Sequence, residues 1–351
     1  MFITALASIS PQHTFGADEL PSEIVTYHTN RLACIEPDYK AWVDPKMIRR
    51  MSRIIKMGVA TASLCLKNAG LEVPDAIVTG SAYGCLEDTG IFLNRMIEFN
   101  EEMLNPTAFI QSTHNTVAAQ IALSVKCYGY NNTFVHRGFS FESALMDGIM
   151  LLKDNEANNV LIGAADEITD ISFAILNRFG IYREQEVSNL QLIGEPGRGT
   201  IAGEGAAFFL LTKEGSANDC ATLDAIHCFY RPDGVEKIIS EIDSFLRAQS
   251  LTSADIDLVI NGQNGDLAND SIYKQLNTKV FAQTPVTQYK HLCGEYPTSS
   301  AFALWYATTL IKNGYTGFGA GIDTLSSKPG KILIYNHYKN IHHSLFLVSA
   351  C

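Results

Sequence analysis

Residues 133–152, TFVHRGFSFESALMDGIMLL, hold the arrangement in this chain best suited to chemistry. The β-branched and aromatic run at 133–135 predicts a short strand. From Phe141 onward, Ala144, Leu145, Ile149 and Leu152 recur at helical spacing. Between the two lies a tight turn, Arg137-Gly138-Phe139-Ser140. A strand that breaks sharply into a buried helix sets Ser140 at the helix N-terminus, where unpaired backbone N–H groups and the positive dipole end converge. That place suits a nucleophile whose attack creates an oxyanion. It suits a plain helix cap equally well, because Ser commonly fills that position. The turn alone leaves both uses open. A serine nucleophile also needs a base, whose help is worth roughly 10² to 10⁴-fold. His136 stands four residues earlier, about 13 Å along an extended strand, so direct contact is not expected. His114, His342 and His343 can approach only through folding.

The elements that must position this turn alternate between strand and helix. Residues 2–9 read as a first strand, followed by a polar, irregular insert to about residue 44. Pro45 then opens one long helix that stops at Gly70. Residues 76–81 form a short buried strand leading into the loop SAYGC. Residues 87–102 follow as a helix with Ile91, Phe92, Met96 and Phe99 on its apolar side, then 115–127 as a small-residue helix. After the turn, 159–164 and 203–211 are buried strands flanking a mixed insert at 170–196. The second half repeats the plan: strands at 222–229 and 257–260, helices at 235–250 and 297–312, and closing strands at 331–335 and 344–348. The pattern predicts an α/β layer fold with central strands hidden on both faces. No Pro/Gly/Ser-rich tether separates the halves, which are expected to divide at residues 1–213 and 214–351 and pack as one body.

Composition narrows the function. The 351 residues are 46% hydrophobic and 18% charged, with a net charge of −11. An acidic chain argues against nucleic acid as a partner, since phosphate binding needs a basic face. A local basic cluster, Arg49, Arg50, Arg53 and Lys56, falls on the long helix and reads first as a solvated face. The eight cysteines carry no paired spacing and read as small core residues of a reducing compartment. No metal-ligand spacing and no phosphate-loop motif occur, so no cofactor is expected. The opening MFITALASISPQ alternates as a strand and lacks a basic leader, and no apolar run approaches the ~20 residues of a membrane span. A soluble, cytoplasmic protein is the expectation.

Several segments together resemble the β-ketoacyl synthases of the thiolase-like fold. FITALASISPQ is similar to that family's first strand and its Ser-Pro. The helix after Pro45 and the following strand and glycine loop resemble its first helix and next strand. FESALMDGIMLL followed by NVLIGAADE resembles the nucleophile helix and the strand after it. GEGAAFFLL resembles its Gly-Glu-Gly-Ala strand. The resemblance implies five layers, α-β-α-β-α, in two pseudo-symmetric halves. It also implies a dimer that elongates acyl chains held on an acyl carrier protein.

The same resemblance exposes four departures. Such synthases use a Cys at the helix N-terminus and two His that promote decarboxylation of a malonyl unit. Matching Ser143-Ala144 and Gly148 to the nucleophile helix puts Ser140 where the Cys belongs. The first His, of a His-Gly-Thr-Gly-Thr loop, falls on Asn261 of NGQNGD. The second, of a Lys-x-x-x-Gly-His segment, falls on Glu295, with Lys290 and Gly294 fitting the rest. The Gly-Phe-Gly-Gly loop falls on NHYKNIH, residues 336–342, which has no glycine and places His342 beside the site. Asn cannot take a proton, and Glu cannot donate two hydrogen bonds to a thioester carbonyl. A carboxylate there would also repel a malonyl carboxylate.

The resemblance therefore points to a chain-length-factor-like member of the family. Such a protein forms a heterodimer with an active ketosynthase and shapes its acyl tunnel in fatty-acid or polyketide-type elongation. Polyene pigment pathways of the aryl polyene or flexirubin kind are the expected setting. Two alternatives stand beside it: an acyltransferase or thioesterase-like enzyme using Ser140 as acyl acceptor, and a non-catalytic homodimer that binds acyl carrier protein.

Overall fold

Strands apolar on both faces need a layer of helices on each side, and the chain supplies them in an ordered alternation. The computed structural model describes residues 1–17, 19–314 and 328–351. The first elements are β1 (Phe2–Ile9), β2 (His28–Thr29), α1 (Pro45–Ile48), α2 (Arg53–Ala69) and β3 (Ala76–Gly80). Next come α3 (Leu86–Glu98), α4 (Pro106–Gln111), α5 (Thr116–Val125), β4 (Tyr130–Phe134), α6 (Ser140–Lys153) and β5 (Asn159–Asp166). They are followed by α7 (Asp170–Arg178), β6 (Val187–Ser188), β7 (Gly205–Thr212), β8 (Ala221–Tyr230), α8 (Gly234–Ala248) and β9 (Leu258–Asn261). The chain closes with α9 (Leu267–Lys279), β10 (Val286–Gln288), α10 (Lys290–Cys293), α11 (Ser300–Asn313), β11 (Lys331–Tyr338) and β12 (His342–Ser349).

Ten strands run in the order β10-β9-β11-β12-β8-β1-β7-β5-β3-β4. The order contains the same pattern twice. From β1 outward, β7 and β5 are added antiparallel, then β3 and β4 parallel. From β8 outward, β12 and β11 are added antiparallel, then β9 and β10 parallel. Among the described residues, the strand pairs Phe2↔Thr222 and Ile3↔Ala221 join the two sets. We propose the division at 213/214, between β7 and β8, as the seam of the two halves.

Side-chain alternation distributes the core among the layers. One face of the first set, with Ala5, Leu161, Phe208 and Leu210, packs on α2 and α5. Its other face, with Val78, Ile162 and Phe209, packs on α6 and α11, as do Ile260, Ile334 and Phe346 of the second set. The far face of the second set, with Val259, Leu333 and Leu347, packs on α8 and α9. The result is five layers, α-β-α-β-α, with α6 and α11 shared in the middle. Each fully buried Leu, Ile or Phe there contributes about 1.5–3 kcal/mol.

The helix expected to run from Pro45 to Gly70 is broken. Asp44 caps a four-residue α1 by accepting the Lys46 N–H at 2.7 Å, and the chain restarts at Arg53 after a turn that buries Met51. Arg49 and Arg50 therefore leave the helix that carries Arg53 and Lys56. Arg53 is not a solvated charge either. Its guanidinium grips the buried Glu204 of GEGA at 2.6 and 2.5 Å and also pairs with Glu36. Gly70 ends α2 with φ +64°, as a left-handed stop requires.

Two further expectations change. The apolar side of α3 is largely in solvent, with Ile91, Ile97 and Phe99 exposed. Residues 262–297, given no elements from their pattern, contain α9, β10 and α10.

Candidate functional site

The turn before α6 is built from a parallel strand edge and two close backbone approaches. Strand β4 pairs with β3, and Gly80 at the end of β3 lies under the turn: a Cβ there would sit 2.5 Å from the Ser140 carbonyl oxygen. Beyond β4 the chain does not stay extended. Arg137 takes a left-handed backbone, φ +50°, and Arg137–Phe139 form a single 3₁₀ turn. Gly138 is pressed against the hairpin between β11 and β12, where a Cβ would lie 2.7 Å from that of Tyr338.

This curl brings His136 to Ser140 after all, through its backbone. Ser140 Oγ accepts the His136 N–H at 2.8 Å and donates to the Arg137 carbonyl at 2.9 Å. The hydroxyl proton is thus committed to a backbone oxygen, and no side-chain base touches the fully buried Oγ. Nor does Ser140 cap α6. The capping position is Phe139, without a side-chain bond to the first turn. The serine ties the preceding turn together instead.

His342 stands nearest among the histidines singled out. Its ring meets Phe139 edge-on at 4.7 Å, with Tyr230 at 5.4 Å and His136 at 6.3 Å. Its Nδ1 is buried without a partner. Burial first, then the charges of His136, Arg137 and Arg231, lowers its pKa. His343 is bound elsewhere, with Nδ1 at 3.0 Å from the Tyr335 hydroxyl, and burial pushes it down to about 4. His114 is exposed and packs against Gly84.

Asn261 ends β9, buried, with its Oδ1 accepting the Gln263 N–H at 3.2 Å and its Nδ2 unpartnered. Glu295 lies in a different pairing. Lys290 Nζ donates to both of its carboxylate oxygens at 2.7 and 2.6 Å, and Asn264 Nδ2 adds a third bond at 2.6 Å. Lysine and glutamate are both buried. Three donated hydrogen bonds occupy the oxygens of this carboxylate, so it faces Lys290 and Asn264, with no contact to Ser140. So the structure joins Lys290 to Glu295, and His342 to the Ser140 turn. Asn261 touches neither pair; its neighbour Asn264 makes the link to Glu295.

A cleft of about 460 Å³, lined among others by Phe179, Arg198, Thr200, Asn264, Tyr338 and Lys339, opens onto Glu295. Tyr338 forms the wall between this cleft and Gly138. The hairpin that carries it turns through Lys339 and Asn340, both left-handed at φ +56° and +51°. Backbone geometry usually supplied by Gly or Asn is kept here, yet two side chains occupy the turn.

Two buried carboxylates near the turn escaped the sequence reading. Glu142, in the first turn of α6, accepts Ser344 Oγ at 3.0 Å, and its other oxygen has no hydrogen-bond partner. Burial pushes it up to about 7, against partial relief from nearby Ser300, its own backbone and Ser344. Asp166, at the end of β5, accepts from Ser81 Oγ, the Ala82 N–H and both the N–H and Oγ of Thr298. It ties the β3 loop to the segment before α11. No local signal marks these partners, because Ser344 and Thr298 lie more than a hundred residues away.

With this geometry in hand, known proteins supply the frame. Residues 30–180 match the family model described as beta-ketoacyl synthase, N-terminal domain. Over the full length, the chain is similar to the ishigamide ketosynthase/chain length factor. The TM-score is 0.83 at 15% identity, covering 100% of this chain and 98% of that one. The fold is that of the ketosynthases. It is similar as well to the ketosynthase ApeO in complex with its chain length factor ApeC from Xenorhabdus doucetiae. Here the TM-score is 0.74 at 14% identity, covering 100% and 98% of the two chains. A third likeness is AntDE:AntF, a type II polyketide acyl carrier protein in complex with its ketosynthase bound to the hexaketide. Its TM-score is 0.76 at 13% identity, with 100% and 99% coverage. No curated protein matches the sequence. At these identities the neighbours establish the shared ketosynthase fold, and the roles of residues rest on the geometry above.

Proposed function

We propose that this chain is a non-condensing, chain-length-factor-like subunit that pairs with an active ketosynthase and shapes its acyl tunnel. The observation that carries the reading is the Ser140 hydroxyl, buried and spent on the His136 N–H and the Arg137 carbonyl. With Asn261 and Glu295 in place of two imidazoles, no basic side chain is hydrogen-bonded to Ser140. An acyl-acceptor role for Ser140 would require breaking both of its bonds and importing a base.

The surface supports a partner. Strand β4 is the edge of the sheet, with Tyr130 and Asn131 in solvent. Elsewhere α3, α4 and the loop between them expose Ile97, Met103, Phe109 and Ile110, at 79%, 98%, 54% and 62%. An open sheet edge and an exposed apolar patch are surfaces that soluble chains ordinarily cover. A ketosynthase with an intact Cys and two His is the partner we assign, with acyl carrier protein delivering the chain. Pigment-type polyene synthesis of the aryl polyene or flexirubin kind is the setting.

Co-expression with such a synthase tests the reading. The expected result is a single complex on size exclusion and a product distribution that changes when this subunit is withheld. Separate elution, together with equal chain lengths from the synthase alone, would overturn it. A stable homodimer of this chain in the same experiment would favour the carrier-binding homodimer instead.

A further inference from the structure

Three segments distant in sequence meet beside the Ser140 turn, and each brings a cation. Residues 136–139 bring His136 and Arg137, the end of β8 brings Tyr230 followed by Arg231, and the β11–β12 hairpin brings Lys339 and His342. The Arg231 N–H donates to the Ile341 carbonyl at 2.9 Å, which fastens the second segment to the third. Gly138 fastens the first, since a Cβ there would lie 3.1 Å from that of His342. The Arg231 guanidinium lies over the Tyr230 ring at 5.2 Å, and the Lys339 ammonium over Tyr338 at 5.5 Å.

Among the described residues, Arg137, Arg231 and Lys339 form no salt bridge with a carboxylate. Burial first, then Arg137, lowers the pKa of Lys339, against partial relief from Glu295. Like charges gathered with no carboxylate in ion-pair contact cost stability, which an anionic partner would restore. His136, Arg137, Arg231 and Lys339 are exposed, and the half-exposed ring of Tyr230 lies among them. Charged and aromatic groups spread over three segments suit the face of a protein better than a single small anion.

We propose that this cluster docks an acidic protein face, which on the reading above is that of the acyl carrier protein. It rests on that reading for the identity of the partner, and on charge for the location. The Arg49 and Arg50 pair, exposed on the turn after α1, is not part of it.

The test titrates holo-acyl carrier protein, followed by fluorescence anisotropy, into this chain alone and into its complex with the synthase. Arg137→Glu with Lys339→Glu is expected to weaken binding about tenfold or more, and to flatten its salt dependence. Arg231→Glu, on the separate segment after β8 and likewise at a positive φ of +45°, should weaken it in the same direction and serves if the hairpin variant does not fold. Arg49→Glu with Arg50→Glu should leave binding unchanged, and co-elution with the synthase should survive in every variant. Unchanged carrier affinity in the cluster variants would overturn the proposal. So would loss of synthase pairing in those variants, which would place the cluster in the subunit interface, or full competition by inorganic phosphate alone. If the unaltered chain fails to pair with the synthase yet binds carrier through the cluster, the functional reading falls and the docking site stands.

Discussion

At the scale of single residues, Ser140 and Glu295 are both committed to bonds within the protein, Ser140 to its own turn and Glu295 to Lys290. Ser140→Ala removes a donor and an acceptor from a buried turn, at a cost of about 1–3 kcal/mol for the two bonds. Intact-mass analysis after incubation with acyl-carrier thioesters should show no adduct on the unaltered protein. A Ser140-dependent adduct would contradict the reading. Restoring the thiol alone, Ser140→Cys, should yield no decarboxylation of malonyl-carrier, because Asn261 and the Lys290-bound Glu295 remain. Lys290→Met leaves Glu295 buried and unpaired, a loss of about 3–5 kcal/mol, whereas Lys290→Met with Glu295→Gln should recover most of it and keep an acceptor for Asn264. Urea unfolding of both variants distinguishes a structural pair from a reactive one: equal loss in the single and double variants would argue against the pairing. The assignment of Ser140, Asn261 and Glu295 to one site rests on the family resemblance, which gives where they stand in the chain. It does not give what they bond to. The 13 Å separation assigned to His136 assumed an extended strand, and a left-handed Arg137 removed that assumption.

At the scale of elements, periodicity identified α3 as amphipathic but not which side faces the protein. Its apolar residues point outward, and only Asp88 of the helix is buried. A helix whose hydrophobic stripe lies in solvent is a prediction about assembly. Ile97→Lys should change the stability of the isolated chain by no more than about 0.5 kcal/mol, as for an ordinary surface site. In co-expression with the synthase the same substitution should abolish the shared elution peak, by burying an unpaired ammonium in the contact. A variant that unfolds, or one that pairs normally, would show that α3 is not the contact. The broken helix at residues 45–70 is illegible in the sequence for a related reason. Pro45 and Gly70 mark true ends, but the chain restarts at Arg53, which is bonded to Glu204, a partner 151 residues away that no local pattern shows. The polar sequence LANDSIYKQLNTK of α9 has little amphipathic contrast. Its boundary is fixed instead by Asp266, which accepts the N–H groups of Ala268 and Asn269.

At the scale of the whole molecule, the duplicated strand order was foreshadowed by element order, while the pairing of β1 with β8 that joins the two sets has no local signature. The protein also holds buried ionisable groups whose titrations oppose each other. His291, buried with neither ring nitrogen hydrogen-bonded, is pushed down from 6.5 to about 4 by burial. The folded state therefore prefers neutral imidazole, while the unfolded chain takes up a proton near the ordinary value. Its stabilising contribution is complete above pH 6.5 and is lost as pH falls through about 4, amounting to about 3 kcal/mol. His343 adds a second slope of the same sign. Glu142 runs the other way: raised from 4.5 to about 7, it favours the folded state below pH 4.5, and that contribution is lost as pH rises through about 7. His291→Met keeps the volume, removes two unpartnered nitrogens and removes one of the acid slopes. Urea unfolding across a pH series should show the variant at least as stable as the parent at neutral pH. Its loss between pH 6.5 and 4 should be smaller by about 3 kcal/mol. An identical acid slope in the two proteins would mean that His291 is hydrated or paired in solution and that its surroundings are less dry than its burial indicates.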